Sequence, residues 1–409
     1  MTKEEVSKKA VKLMEGNKNV ALQWATGVGK SKAALDIIQS LKDKGELSKG
    51  VLLCYAEKPH LMNWMNEFRK WDKDGLLALV TPTTYASLKN RTGEEYSLII
   101  LDEGHHAGSN LRLDILSLIK SDHVLLLSAT LHDVIVQDLE RIFGKFVNYK
   151  ISLKDAVKGG ILSEPKIFVI PLELDDYYPI HQVIQTRGAS KKRVTVKCTY
   201  AERWKYLKDK KNYPNIKLIM SCTAKEKNSF LTEQSDYWYK QFVRVRNEAI
   251  KNKWLQIGSE RKRFLGECKT DISKVLLRKL KKKRYICFCS SIDQATKLGK
   301  DNAIHSERKN SLEIIEKFNN KEINNLFAVG MLQEGQNLEG IEAGIIIQLD
   351  GQERGFVQKA GRAMRAESPL VFILYYKGTR DEDYLNNVLL DKVDTQYVKE
   401  VEDIYELEV

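Results

Sequence analysis

The 409-residue chain is poor in cysteine and proline, and it has no long apolar run. Its six cysteines, Cys54, Cys198, Cys222, Cys268, Cys287 and Cys289, are scattered, with no two CxxC-like pairs to hold a structural zinc. Buried free thiols in a reducing cytoplasm are expected, a host's cytoplasm if the chain is virus-encoded. No stretch approaches the roughly 18 apolar residues of a membrane span. The start, Met1-Thr2-Lys3-Glu4-Glu5, has mixed charges and no signal-like apolar core. Val6, Ala10, Leu13 and Met14 instead sit at helical spacing and predict a packed first helix. Prolines number seven and none follows Pro369; internal repeats and low-complexity linkers are absent. The length suits roughly two to three domains.

Acidic residues are scarce in one region. Residues 181–284 hold 29 Lys+Arg against 9 Asp+Glu, a net of +20, whereas residues 381–409 hold 2 against 10, a net of −8. The rest is neutral. The basic region also carries Tyr200, Trp204, Tyr206, Tyr213, Tyr237, Trp238, Tyr239 and Trp254. Cations interleaved with aromatics suit phosphate backbones and exposed bases, and a net charge this high needs a polyanion or costs self-repulsion. The alternative is a solvated helical surface whose aromatics pack inward. The densest clusters, Lys191-Lys192-Arg193 and Lys281-Lys282-Lys283, are candidate nucleic-acid contacts.

Short apolar runs at 51–54, 98–101 and 124–127 alternate with helical stretches, the pattern of a parallel sheet covered on both faces. A second set, at 285–288, 326–329, 344–347 and 370–374, repeats it, with 166–170 opening the second half and a helical stretch predicted from about residue 235 to 283.

The run Trp24-Ala25-Thr26-Gly27-Val28-Gly29-Lys30-Ser31 joins an apolar strand to a helix. Gly27 and Gly29 let backbone N–H groups close on phosphate, the helix adds its positive end, Lys30 reaches the outer phosphates, and the Ser31 hydroxyl can bind Mg²⁺. Thr26 and Val28 complete the cradle. Trp24 stands where the longer pattern has its first glycine. Downstream, Asp102 and Glu103 end an apolar strand: Asp102 can hold Mg²⁺ opposite Ser31, and Glu103 can orient or deprotonate a water. Ser128-Ala129-Thr130 follows another strand and alone is an ordinary turn. In Gln358-Lys359-Ala360-Gly361-Arg362-Ala363-Met364-Arg365, the two arginines share a helix face, a spacing that suits charge on a departing phosphoryl group.

Taken in order, ATGVGKS, DEGH, SAT, ICFCSS, EGQNL and QKAGRAMR resemble motifs I to VI of superfamily 2 helicases and translocases of the DExH type. The stretch at 61–71, with Asn63, Trp64, Glu67, Phe68 and Trp71, resembles chromatin-remodeller-like motors. Thr83-Thr84-Tyr85 resembles their motif Ib, and residues 152–162 resemble restriction-enzyme translocase subunits and phage recombination helicases. Core packing is the expectation for Trp64 and Trp71.

The resemblance implies an α/β fold of two tandem RecA-like domains with parallel sheets, plus a basic, mainly helical insertion. The implied boundaries are 1–150 for the first motor domain, 151–284 for connector and insertion, 285–380 for the second, and 381–409 for an acidic tail. It further implies ATP and Mg²⁺ as cofactors. Lys30, Asp102, Glu103, Gln358, Arg362 and Arg365 are then catalytic, and residues 26–31 with Gly335 and Asn337 hold the nucleotide. His105, Ser128 and Thr130 are coupling residues, and Lys58 and Thr84 touch nucleic acid. Asn337 stands where the family has Asp, so it binds a ribose less strongly. No adenine-reading glutamine motif precedes the glycine loop, so the choice of ATP rests on the resemblance. The implied partner is nucleic acid, DNA rather than RNA. A strand-separating motor, a duplex translocase that never separates strands and an ATP-switched binding protein all remain open.

Overall fold

A computed structural model describes residues 1–330, 338, 340–349, 366–389 and 393–409, the side chains of residues 58, 59 and 388 excepted. The first sheet is built from β1 (Asn19–Trp24), β2 (Val51–Tyr55), β3 (Val80–Thr84), β4 (Glu95–Asp102), β5 (Lys120–Ser128) and β6 (Val147–Ile151). Their order is β3-β2-β4-β5-β1-β6, with every pairing parallel. Helices cover both faces of such a sheet, which is why β2 is apolar and buried at all five positions. The helix Lys3–Gly16 is closed by a Thr2–Glu5 capping box and buries Val6, Ala10 and Met14. It packs on the helix Lys30–Asp43, which buries Ala33, Ala34, Leu35, Ile37, Ile38 and Leu41.

The second large sheet draws on distant parts of the chain. β7 (Lys166–Leu172) enters it first. After β8 (His181–Arg187), β9 (Val194–Thr199) and β10 (Ile216–Cys222) come β11 (Tyr285–Phe288), β12 (Ala303–Ile304), β13 (Asn325–Ala328), β14 (Ala343–Ile346), β15 (Leu370–Tyr376) and β16 (Val398–Glu400). The seven strands run β12-β13-β11-β14-β15-β7-β16, all parallel. Residues 381–409 are therefore more than a tail. They lie partly in the helix Arg380–Leu389 and supply β16, and the Asp381 side chain is fully buried.

Between β7 and β11 lies an accessory unit. The basic segment is not only helical: β8, β10 and β9 form a three-stranded sheet, β10 in the middle, antiparallel to β8 and parallel to β9. The helices Ala224–Val245 and Glu248–Cys268 pack against each other. Their residues Phe230, Leu231, Ile257 and Phe264 join Leu218, Met220 and Tyr376 in a common core. Lys269 anchors the unit. Its ammonium donates to the carbonyls of Ile347 (2.9 Å) and Leu374 (3.0 Å), to Gln348 Oε1 (3.0 Å) and to Asp381 (2.6 Å). These partners lie at or near the carboxyl ends of β14 and β15, so the accessory unit is seated at the end of the sheet from which the motif loops leave.

Candidate active site

Three loops leave the carboxyl ends of β1, β4 and β5. Those strands are neighbours, with β5 in the middle, Gln23 opposite Ser128 and Asp102 opposite Leu127. The crevice outside the carboxyl ends of a parallel sheet is where ligands bind in such folds. The loop after β1 turns through Gly27 (φ 94°) and Gly29 (φ 112°), a left-handed backbone that a side chain would strain. A Cβ on Gly29 would meet nothing within 4 Å, so there is open space over the loop. Gly29 caps the helix beginning at Lys30 and Ser31, and the helix N-terminus favours an anion there. The Lys30 ammonium donates to the Trp24 carbonyl at 2.8 Å. Trp24 is fully buried, its ring edge-on to Tyr149 at 5.4 Å. The residue in place of the usual first glycine thus wedges the loop against the core.

Asp102 ends β4 with its carboxyl enclosed by donors. Trp64 Nε1 donates to Oδ2 at 2.8 Å, and the Glu103 N–H donates to Oδ1 at 3.1 Å. Tyr85 Oη donates to the Asp102 carbonyl at 2.9 Å. Burial raises the Asp102 carboxyl above the ordinary aspartate range; the Trp64 hydrogen bond and nearby His60 and Lys30 pull it part of the way back. Glu103 has a left-handed backbone (φ 48°), uncommon for a non-glycine residue and of the kind that gathers at functional sites. Its carboxylate lies 3.5 Å from His105 Nδ1, and the His105 ring lies 4.2 Å from that of His106. Gly104, between Glu103 and His105, leaves no free room for a side chain: a Cβ would fall 2.0 Å from Leu126 Cδ1, which would have to move. Ser128 is fully buried. Its hydroxyl donates to the Thr130 carbonyl at 2.7 Å and accepts the Thr130 N–H at 3.3 Å.

The structure thus gathers residues 26–31, Asp102, Glu103, His105, Ser128 and Thr130 at the carboxyl ends of three neighbouring interior strands of the first sheet. Gly335, Asn337, Gln358, Arg362 and Arg365 lie outside the described residues. Among the described residues, no group of three or more His, Cys, Asp or Glu could hold a metal. A hydroxyl and one carboxylate, Ser31 and Asp102, suit a hard cation that completes its shell with phosphate and water, as Mg²⁺ does.

The proposed nucleic-acid contacts separate. Thr84 ends the edge strand β3, its hydroxyl bonded to Ser87 Oγ at 3.0 Å. Lys58 begins the helix Lys58–Lys70, and its side chain lies outside the described residues. Lys191, Lys192 and Arg193 are exposed in the β8–β9 loop. Lys281, Lys282 and Lys283 precede β11 at its amino end, opposite the motif loops, and Lys283 pairs with Glu342 at 3.6 Å. The neighbouring Arg284 donates to the Gly340 carbonyl (3.1 Å) and the Phe318 carbonyl (2.7 Å), a packing role.

Of the two tryptophans expected in the core, Trp64 is there and Trp71 is not. Trp64 is buried, as expected of core, but its indole N–H also serves Asp102. Trp71 is 36% exposed, with its N–H on Glu67 at 2.8 Å and the Lys32 ammonium 5.0 Å over its ring. The aromatics of the basic region divide as well: Tyr200 is buried, whereas Trp204, Tyr237 and Tyr239 are about half exposed.

Comparison with known proteins agrees with this order. Residues 2–133 match the type III restriction enzyme res subunit, and residues 268–367 match the helicase conserved C-terminal domain. A putative ATP-dependent RNA helicase of Methanocaldococcus jannaschii is 36% identical over 98 residues, which are 24% of this chain and 12% of that protein. Among solved structures, Saccharomyces cerevisiae Dbp5 bound to RNA and ADP BeF3 superposes with a TM-score of 0.57 at 11% identity, covering 97% of this chain and 89% of that one. The ATP-dependent type ISP restriction-modification enzyme LlaBIII bound to DNA gives 0.54 at 13% identity, covering 98% and 31%. At these identities the two structures speak for the two-domain fold alone.

Proposed function

We propose that this chain, which belongs to superfamily 2 of helicases and translocases, hydrolyses ATP to drive its own movement along nucleic acid. The observation that carries the reading is the convergence of the Gly27–Gly29 turn, Lys30, Asp102 and Glu103 at neighbouring carboxyl ends of one parallel sheet.

The triphosphate lies in the glycine turn, against backbone N–H groups and the end of the helix Lys30–Asp43. Lys30 exchanges the Trp24 carbonyl for phosphate oxygens. Ser31 and Asp102 would hold Mg²⁺, which would supply positive charge to the phosphoryl oxygens. Glu103 orients the attacking water and takes its proton. The water oxygen bonds to the γ-phosphorus, the bridging bond to ADP breaks, and Glu103 returns its proton to solvent. Arg362 and Arg365, with Gln358, meet the triphosphate from the second domain, so hydrolysis requires the two domains to close. His105, Ser128 and Thr130 lie beside the acidic pair; His105 couples the ATP site to the second domain, and Ser128 and Thr130 help link hydrolysis to strand movement.

DNA is the substrate we favour. Residues 2–133, about a third of the chain, match a restriction-enzyme subunit, and one fold relative is bound to DNA. Other relatives are an RNA helicase and an RNA-bound protein, so the stimulating polymer is the quantity to measure. ATPase assays with single-stranded, duplex and forked DNA and with RNA test the reading, alongside Lys30→Ala and Glu103→Gln. Lys30→Ala is expected to lose ATP binding and turnover, and Glu103→Gln to keep binding but stop hydrolysis. Near-normal turnover in Glu103→Gln removes that residue from the chemistry. A motor separates forked strands, a duplex translocase does not, and a switch binds ATP without turnover.

A further inference from the structure

The accessory sheet has one face on the core and one in water. Side chains alternate along a strand. Leu218 and Met220 of β10 and Val183 of β8 point into the core, so their sequence neighbours point out. Lys217 therefore stands between Thr186 and Thr195, and Ile219 stands between Ile184 and Lys197. All are exposed or partly so, Ile184 at 50%.

No carboxylate lies on any of the three strands. Residues 181–222 hold 11 Lys+Arg against 2 Asp+Glu, a net of +9. The two acids are engaged locally, Glu202 by the Thr199 N–H and hydroxyl (2.9 and 3.0 Å) and Asp209 by Asn212 (2.7 Å). The β8–β9 loop with Lys191, Lys192 and Arg193 crosses the end of the sheet where Lys217 stands, because Ile216 is paired with both Arg187 and Val194. A tight turn at Gly188 (φ 91°) holds the loop there: a Cβ would meet Asn215 Oδ1 at 2.0 Å, and that oxygen accepts the Ser190 N–H at 3.2 Å.

We propose that this open face, with Lys197 and Lys217 as its cations and Ile184 and Ile219 as its apolar centre, is a nucleic-acid-binding platform separate from the motor track. The occupant is a polyanionic strand, phosphates on the lysines and loop, sugars and base faces on the isoleucines. A second copy of the chain would bring the same positive face and be repelled. The platform's unit is seated on the motif side of the second sheet through Lys269. The proposal rests on the motor reading above and gives it an additional grip that holds nucleic acid while the motor domains open.

The test uses the full chain and fluorescein-labelled single-stranded DNA, duplex DNA and single-stranded RNA, with anisotropy measured across a salt series. Lys197→Gln/Lys217→Gln removes the platform's cations. Lys8→Gln/Lys12→Gln removes equal charge from the exposed face of the helix Lys3–Gly16 and is the control. The platform variant is expected to bind about tenfold more weakly, with a log–log salt slope shallower by about 1.4 on single strands and about 1.8 on duplex. The control and the nucleic-acid-free ATPase stay near wild type. In the wild type, bound nucleic acid protects Lys197 and Lys217 from an amine-acylating reagent, a readout that needs no variant. A platform variant that binds like the control, or lysines that stay reactive in the complex, overturns the platform and leaves the motor reading standing. A variant that loses self-association instead of affinity also overturns it. A wild type that binds none of the probes overturns both.

Discussion

Trp64→Phe isolates one contact on the hydrolytic site. The Trp64 indole donates its N–H to Asp102 Oδ2 at 2.8 Å, and its ring is buried beside Phe68, centroids 6.3 Å apart. Phenylalanine keeps most of the packing and removes the donor. A hydrogen bond to a charged acceptor contributes about 1.5–3 kcal/mol, and groups that orient a metal ligand typically change affinity or activity by about 10–100-fold. The two figures agree, because 1.36 kcal/mol is about a factor of ten. The Mg²⁺ concentration for half-maximal ATPase should therefore rise by about ten- to a hundredfold. The pH profile should move with it. The Trp64 bond lowers the Asp102 carboxyl, so removing it raises the carboxyl further, and the acid limb of turnover, where the ionised form is lost, shifts to higher pH. Phe68→Leu, which opens a small cavity beside the same ring but leaves the bond, is the control: it should lose melting temperature without either shift. Unchanged Mg²⁺ dependence and acid limb in Trp64→Phe would refute the argument that Trp64 positions Asp102.

The remaining expectations concern other parts of the fold. Gly104→Ala forces a methyl against Leu126, an overpacking of about 1–3 kcal/mol; it should cut turnover about a hundredfold by displacing Glu103, and Leu126→Ala should restore part of it, as steady-state ATPase and thermal melts will show. Burial holds the Asp102 carboxyl high, so its ionised form weakens the nucleotide-free fold above the unfolded-state pKa; Asp102→Asn should raise the nucleotide-free melting temperature while abolishing turnover, and a lower melting temperature would contradict this. Lys269→Met strands Asp381 in the core and should destabilise by about 3–5 kcal/mol in denaturant titration; Lys269→Met/Asp381→Leu should recover part of the loss. Arg362→Ala or Arg365→Ala should slow hydrolysis by about 10³ or more while sparing ATP binding; normal turnover in both would leave the 358–365 run without a catalytic role.

Much of the hydrolytic site was legible in the chain because its parts are local. Two glycines before a lysine, a serine and a helix specify a left-handed turn at a helix N-terminus whatever surrounds them. An acidic pair closing an apolar run specifies carboxylates at a strand end. The parallel sheets could be read from the same runs, since strands buried on both faces are apolar throughout, and the excess of cations in residues 181–284 is a matter of counting. Tertiary structure decided what depends on pairing. Nothing in residues 166–172 or 398–400 says that they are neighbours in one sheet, because strand periodicity specifies faces and not partners. β8 (His-Gln-Val-Ile-Gln-Thr-Arg) and β9 (Val-Thr-Val-Lys-Cys-Thr) are exposed edge strands rich in polar residues, so in sequence they look like a solvated loop. Trp64 meets Asp102 across 38 residues, and Lys269 meets Asp381 across 112, contacts made only once the sheets close on their helices. The same closure places Lys281 and Lys282 at the far end of the second sheet and the Lys197–Lys217 face at the near one. The charges could be counted beforehand, but which of them can reach a nucleic acid depends on the direction of the strands that carry them.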